Sequence, residues 1–192
     1  MKRWERYHHQ VGENPNSLVV HTLSDFVTRR ESSLDLGAGN LRDSKFLKNQ
    51  GFTRLVAVDN SDESLEFATE GIELHISPIE IWKPEKDTFD FAFSCNTLFF
   101  LDRLQVGEVF RNVLAGLRSG GIFACNVLGE EDGWVAQGKQ VSWFNEKQVI
   151  ELCVGFEVLG ISESKKNSFT LNELGYSIPK LWHQISIVAQ KP

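Results

Sequence analysis

Two glycines and one carboxylate carry the strongest chemical signal in this 192-residue sequence. Leu34-Asp35-Leu36-Gly37-Ala38-Gly39-Asn40 reads as a short apolar strand running into a tight turn, and Asp59 ends the next strand-like run. Glycine at 37 and 39 lets the backbone bend sharply and lets a ligand approach without meeting a Cβ. Asp59 stands 20 residues past the second glycine, where an acidic side chain accepts hydrogen bonds from both ribose hydroxyls of an adenosine. A G-x-G turn alone also serves simply to join a strand to a helix. The acid at the right distance makes the pair informative.

The neighbouring residues select among adenosine ligands. A dinucleotide site needs a third glycine three residues after the second, because the helix-terminal N–H groups must close on a pyrophosphate; that place holds Arg42. An acid, Asp35, stands two residues before the first glycine and suits a ligand bearing an ammonium group rather than phosphates. The local charge favours S-adenosylmethionine over NAD.

At this point the sequence resembles the class I S-adenosylmethionine-dependent methyltransferases. Asp35-Leu36-Gly37-Ala38-Gly39 is similar to their first motif and Val58-Asp59-Asn60-Ser61 to their second. The run from Thr88 through Phe89, Asp90 and Phe91 to Asn96 is similar to the fourth-strand motif, and Leu117-Arg118-Ser119-Gly120-Gly121 to the turn before strand five. Lys180-Leu181-Trp182-His183 and Leu128-Gly129-Glu130 resemble the small bacterial subgroup near the tellurite-resistance methyltransferases. The resemblance implies an α/β, Rossmann-like fold: a seven-stranded, mostly parallel sheet with an antiparallel last strand and helices on both faces. It implies S-adenosylmethionine as cofactor and S-adenosylhomocysteine as product. It packs Gly37 and Gly39 against the methionine part and sets Asp59 on the ribose, with Asp35, Ala38 and Asn40 among the cofactor-binding positions. Asn60 falls at the adenine edge, Ile79 over adenine, and the Cys95-Asn96 backbone beside the amino-acid portion. Two positions depart from the family: Leu41 where glycine is frequent, and Pro78 where an acid would bond the adenine amino group, a task left to Glu80.

The elements that must position these residues alternate along the chain. Apolar residues Leu18, Val19, Leu23, Phe26 and Val27 at helical spacing predict a helix over 15–30, with Pro15 in its first turn. Strands are expected at 33–36, 54–59, 72–76, 89–95 and 122–127, with helices over 41–50, from Asn60 or Ser61 to Glu70, and along the stripe Val106, Val109, Phe110, Val113, Leu114 and Leu117. After residue 143 a short helix, 145–153, precedes two strand-like runs, 156–161 and 183–189, that read as an antiparallel pair. Residues 163–179 read as a long loop. The whole, 1–192, is expected to be one domain: an N-terminal helical cap region (1–31), a cofactor-binding half (32–128) and a substrate-side half (129–192).

Composition narrows the function. A net charge of −6, with 26 acidic against 20 basic residues, argues against nucleic acid or an anionic membrane as partner and for a small-molecule substrate. A polar start without an apolar stretch reads as cytoplasmic. Cys95, Cys125 and Cys153 read as buried free thiols. No histidine spacing suggests a metal site. Methyl transfer from a sulfonium needs alignment more than acid–base help, so the catalytic side is open, with His183 its candidate base. Tyr7, Phe99, Trp134 and Trp143 are the substrate-side candidates, and Trp4 lies beside the first. A cofactor-binding regulator without catalysis and an NAD-dependent oxidoreductase are the competing readings. Oligomeric state is left open.

Overall fold

The computed structural model describes residues 9, 12–172 and 174–192. Trp4 and Tyr7 lie outside the described residues. Seven strands form one sheet in the order β3-β2-β1-β4-β5-β7-β6. They are β1 (Ser32–Leu36), β2 (Arg54–Asp59), β3 (Glu73–Ile76), β4 (Phe89–Ser94), β5 (Leu117–Leu128), β6 (Glu157–Leu171) and β7 (Ser177–Gln190). The pairs β1–β2, β1–β4, β2–β3 and β4–β5 are parallel. β7 runs antiparallel to both β5 and β6. This is the sheet that the resemblance implies.

Every residue of β1 and β4 is buried, because helices cover both faces. On one face Val19 and Leu23 of α1 (Ser17–Asp25) and Leu47 of α2 (Arg42–Asn49) pack on Leu55, Ala57, Phe91 and Phe93. On the other, Val106, Val109, Phe110 and Val113 of α3 (Arg103–Gly116) pack on Leu34, Val56 and Phe123. Burying each such side chain contributes about 1.5–3 kcal/mol. Asp102 and Gln105 close a reciprocal cap at the start of α3, and Asn145 and Gln148 do the same for α5 (Glu146–Leu152). A short α4 (Gly133–Ala136) lies between them.

Three local expectations are corrected. The first helix begins after its Asn16 cap rather than at Pro15 and stops at Asp25, and the chain beyond it turns so that the N–H groups of Glu31 and Ser32 reach the Asp90 carboxylate. After β2 the chain makes only a 3-10 turn, Asp62–Phe67, since Ser64 alone is buried there and no apolar stripe supports an α-helix. The largest difference lies at residues 163–179, read as a loop, which are two strands of a hairpin paired from Glu157↔Gln190 to Leu171↔Ser177. That ribbon hid its strands because most of β6 is exposed on both faces, so no alternation betrays it, and its order comes from backbone pairing. Asn172 turns it by accepting from the N–H groups of Leu174 and Tyr176, with Gly175 in the left-handed region at φ 80°.

Candidate active site

The carboxyl ends of β1, β2 and β4 open into a cleft of about 240 Å³. Its lining includes Gly37, Ala38, Gly39, Asn40, Asp59, Asn60, Ile79, Cys95 and Asn96, nine of the ten positions marked in the sequence. The turn is held from below: the N–H groups of Gly37 and Ala38 both donate to the Val58 carbonyl, at 2.8 and 3.2 Å. Gly37 sits at φ 83°, and a Cβ there would overlap the Thr97 side chain, so the close packing of turn against turn requires glycine.

Asp59 is tied to the same turn. Its Oδ2 accepts from Gly39 N at 2.8 Å and its Oδ1 from Ser61 N at 2.9 Å. A carboxylate offers about four lone-pair sites, so roughly one on each oxygen remains for a ligand. The bend and the carboxylate thus converge through a direct hydrogen bond.

Leu41 caps α2 in the left-handed conformation, φ 60°, which explains why glycine suits this place. The strain costs about 1–2 kcal/mol; the fully buried Leu41 side chain offsets it with a burial gain of about 1.5–3 kcal/mol.

Asn96 is also left-handed, φ 57°. Its N–H donates to Asn126 Oδ1 at 2.7 Å, while its side-chain oxygen accepts from Asn126 and from Gln184, both at 2.8 Å. This network pins the end of β4 to β5 and β7.

The tenth position, Asp35, lies outside the cleft. Its carboxylate is buried and accepts from Ser44 Oγ at 2.8 Å. Burial and the nearby Asp43 charge push its pKa well above the usual 3.8. Cys95, read both as a buried thiol and as a cofactor-site position, is half-buried and lines the cleft, and burial together with Asp43 and Asp35 pushes its thiol pKa well up, which keeps it neutral.

The base and substrate-side candidates are placed elsewhere. His183 is buried, accepts at Nδ1 from Glu131 N at 3.0 Å and meets Glu163 through Nε2 at 2.7 Å. Its ring packs over Gly129 and does not line the cleft. Both nitrogens are engaged in a structural tie.

Phe99 and Trp134 are buried in an aromatic box with Trp182. Inside it Lys180 Nζ sits 2.6 Å from Asp132 Oδ2, and 3.3 Å and 4.6 Å from the Trp182 and Trp134 ring centroids. Burial lowers the Lys180 pKa and Asp132 opposes the shift. Trp143 stacks under Arg103, 4.9 Å away, and stays off the cleft.

The box meets the cleft through Phe100, whose ring meets that of Phe99 at 4.7 Å in a tilted contact and which, with Leu101, supplies an apolar wall. Thr97 and Asp43 are cleft residues that sequence reasoning passed over, and Arg42 entered it only as the residue in place of a third glycine; the adjacent opposite charges directly after the glycine turn were the available signal. Among the described residues no group of three or more His, Cys, Asp or Glu is arranged to hold a metal, and no helix is long and apolar enough to cross a membrane.

Residues 34–121 match a family model described as a methyltransferase domain. No curated protein matches the sequence. Among solved structures, TehB from Haemophilus influenzae is 20% identical with a TM-score of 0.73, over 98% of this chain and 67% of that one. A chain from Haloferax volcanii solved in complex with the Trm112 methyltransferase activator is 14% identical, TM-score 0.74, over 100% and 99%. An S-adenosylmethionine-dependent methyltransferase from Mesorhizobium loti is 16% identical, TM-score 0.69, over 92% and 99%. At such identities the likeness speaks for the fold, and the family match speaks for the sequence of the cofactor half. Residues 34–121 match a methyltransferase domain, and the sheet that they share with the rest of the chain has the fold of solved S-adenosylmethionine-dependent methyltransferases.

Proposed function

We propose that the chain acts as one unit to transfer a methyl group from S-adenosylmethionine to a small-molecule acceptor. The observation that carries this is the Asp59 carboxylate, bonded to the Gly39 N–H while facing a cleft that also holds Asn60, Ile79 and Asn96. Its two remaining lone-pair sites suit the vicinal hydroxyls of a ribose. Gly37 lets the Thr97 side chain pack directly on the turn at the cleft wall, and Ile79 offers an apolar surface for a purine. The residues present therefore fit the cofactor.

When bound, S-adenosylmethionine supplies an electrophilic methyl group on a sulfonium. The chain's own work is to align and to exclude water, which can be worth about 7–11 kcal/mol without a general base. The glycine turn and the Asn96–Asn126–Gln184 network hold two walls of the cleft rigid. Phe100 and Leu101 make the third wall apolar. Cys95 stays a neutral thiol and so does not compete as a nucleophile. With His183 tied to Glu131 and Glu163, the site favours an acceptor that is already a good nucleophile, such as a thiol or another soft chalcogen. The acidic overall charge favours a small acceptor over a nucleic acid.

Calorimetry with S-adenosylmethionine and S-adenosylhomocysteine tests the reading. Wild type is expected to bind both, and Asp59→Ala to lose about 1.5–3 kcal/mol, roughly 10- to 150-fold. Absence of binding by wild type at millimolar ligand would overturn it. A mass-spectrometric screen of small acceptors then tests transfer, and binding without transfer to any acceptor would point to a cofactor-sensing regulator instead.

A further inference from the structure

β6 is the last strand of the sheet, and among the described residues no strand pairs with its outer side. A free edge presents a row of unpaired N–H and C=O groups, a template for another chain, and lysines on such an edge usually blunt it. Lys165 and Lys166 stand on this one. Glu163 changes their meaning: it shares a face of the strand with Lys165, 3.6 Å away, and both side chains are more than 40% exposed.

β6 is also unevenly supported. From Glu157 to Ser164 it lies along the part of β7 that β5 holds, since the β5–β7 pairing runs from Gln190 to Gln184 and Gln184 faces Ser164. From Lys165 to Leu171 its only strand partner is residues 177–183 of β7, beyond the end of β5. Trp182 and Lys180 anchor that stretch of β7 in the aromatic box. The overhanging half of β6 is mostly exposed, Phe169 included. A two-stranded ribbon is marginal in water, and a third strand steadies it. Ser164 is both the end of the supported half and the midpoint of β6.

A second copy, antiparallel along this edge, supplies that third strand. Residues opposite each other in an antiparallel pair lie on the same face, so a two-fold axis through the edge passes at a residue. The charges select which one. An axis at Glu163 sets two carboxylates opposite each other, and an axis at Lys165 or Lys166 sets two ammonium groups so. An axis at Ser164 places Glu163 of each copy opposite Lys165 of the other, and Ser162 opposite Lys166. It also lays the overhanging half of each β6 along the supported half of the other. Charge and strand length thus pick the same axis independently.

We propose that the β6 edge is a homodimer interface, in which two copies pair their β6 strands antiparallel about Ser164 into one continuous sheet. The bulge between Val158 and Gly160 confines the regular register to residues 160–168. No residue of β6 lines the cofactor cleft, so the dimer forms with or without cofactor.

Sedimentation velocity over a micromolar concentration series is expected to show wild type in a monomer–dimer equilibrium. Lys165→Glu and Glu163→Lys each set like charges opposite one another, and each should weaken the dimer about tenfold or more. Mixed in equal amounts, the two variants should dimerise again, because one then presents carboxylates at both positions and the other ammonium groups at both. That recovery also reports that each variant is folded. Ser164→Cys should form an intermolecular disulfide on mild oxidation, since opposite Cβ atoms lie about 4.5–5.5 Å apart. Ser168→Cys, which faces Gly160 of the other copy, should not. Wild type that stays monomeric, single variants that dimerise as wild type does, a mixture that stays monomeric, or a dimer that fails to cross-link at 164 would each overturn the interface.

Discussion

The glycine turn above β1 and the root of the β6–β7 ribbon are both dense polar constructions, yet they are built on opposite terms. The ribbon root pairs its charges, although Trp134 Nε1 is buried there without a hydrogen-bond partner. Lys180 and Asp132 are paired, Asp132 also accepts from His183 N and Trp134 N, and the ammonium lies against two indole rings. The turn leaves its groups wanting. Gly37, Gly39, Leu41 and Asn96 all adopt positive φ, Asp35 is buried beside other carboxylates, and Arg42 and Asp43 are only loosely paired. Strain and unmet charge gather where a ligand can relieve them, while paired charges lock architecture.

Breaking the ribbon root should give the largest effect on stability. Lys180→Ala leaves the Asp132 charge buried without its partner, and a loss of about 3–5 kcal/mol is expected in urea denaturation. Replacing both partners by apolar residues, Lys180→Met with Asp132→Leu, should recover much of it. The folded fraction of Lys180→Ala should still bind S-adenosylhomocysteine as wild type does. Retained stability in the single variant would show that the pair is not the anchor described.

Gly37→Ala should reverse that pattern. Overpacking against Thr97 costs about 1–3 kcal/mol of stability, and the shifted turn should abolish cofactor binding in calorimetry. Wild-type affinity in this variant would remove the turn from the binding site.

The smallest effect is a gain. Burial raises the Asp35 pKa, so the folded chain holds that proton more tightly than the unfolded chain. Stability therefore falls as pH climbs from the usual 3.8 through the raised value, and stays lowered above it. Asp35→Asn keeps an acceptor for Ser44 and should melt higher than wild type near neutral pH, with the advantage fading toward pH 4. A melting difference that does not change with pH would contradict the burial of an ionising Asp35.

The two regions also differed in how far they could be read in advance. Strand and turn around the cofactor cleft were legible because buried parallel strands are continuous apolar runs, and because glycine at 37 and 39 and the acid at 59 answer local backbone demands. The ribbon was not, since residues 162–171 are polar and mostly exposed, and their pairing with 177–186 depends on β7 being held by β5. Trp134 and Phe99 were legible as a cluster of aromatics but not as a closed box around Lys180. His183 looked like a free base only because its partners, Glu131 and Glu163, are 52 and 20 residues away.

Short-range patterns in this chain were enough to specify the order of strands and helices and the pairing of a glycine turn with the acid at 59, because periodicity and φ preference act over a few residues. Which carboxylate faces the cleft, which histidine is locked away and which lysine is buried among tryptophans were decided only on folding. Those outcomes depend on burial and on partners tens of residues apart, and a charge's chemistry is set by who surrounds it rather than by its place in the sequence.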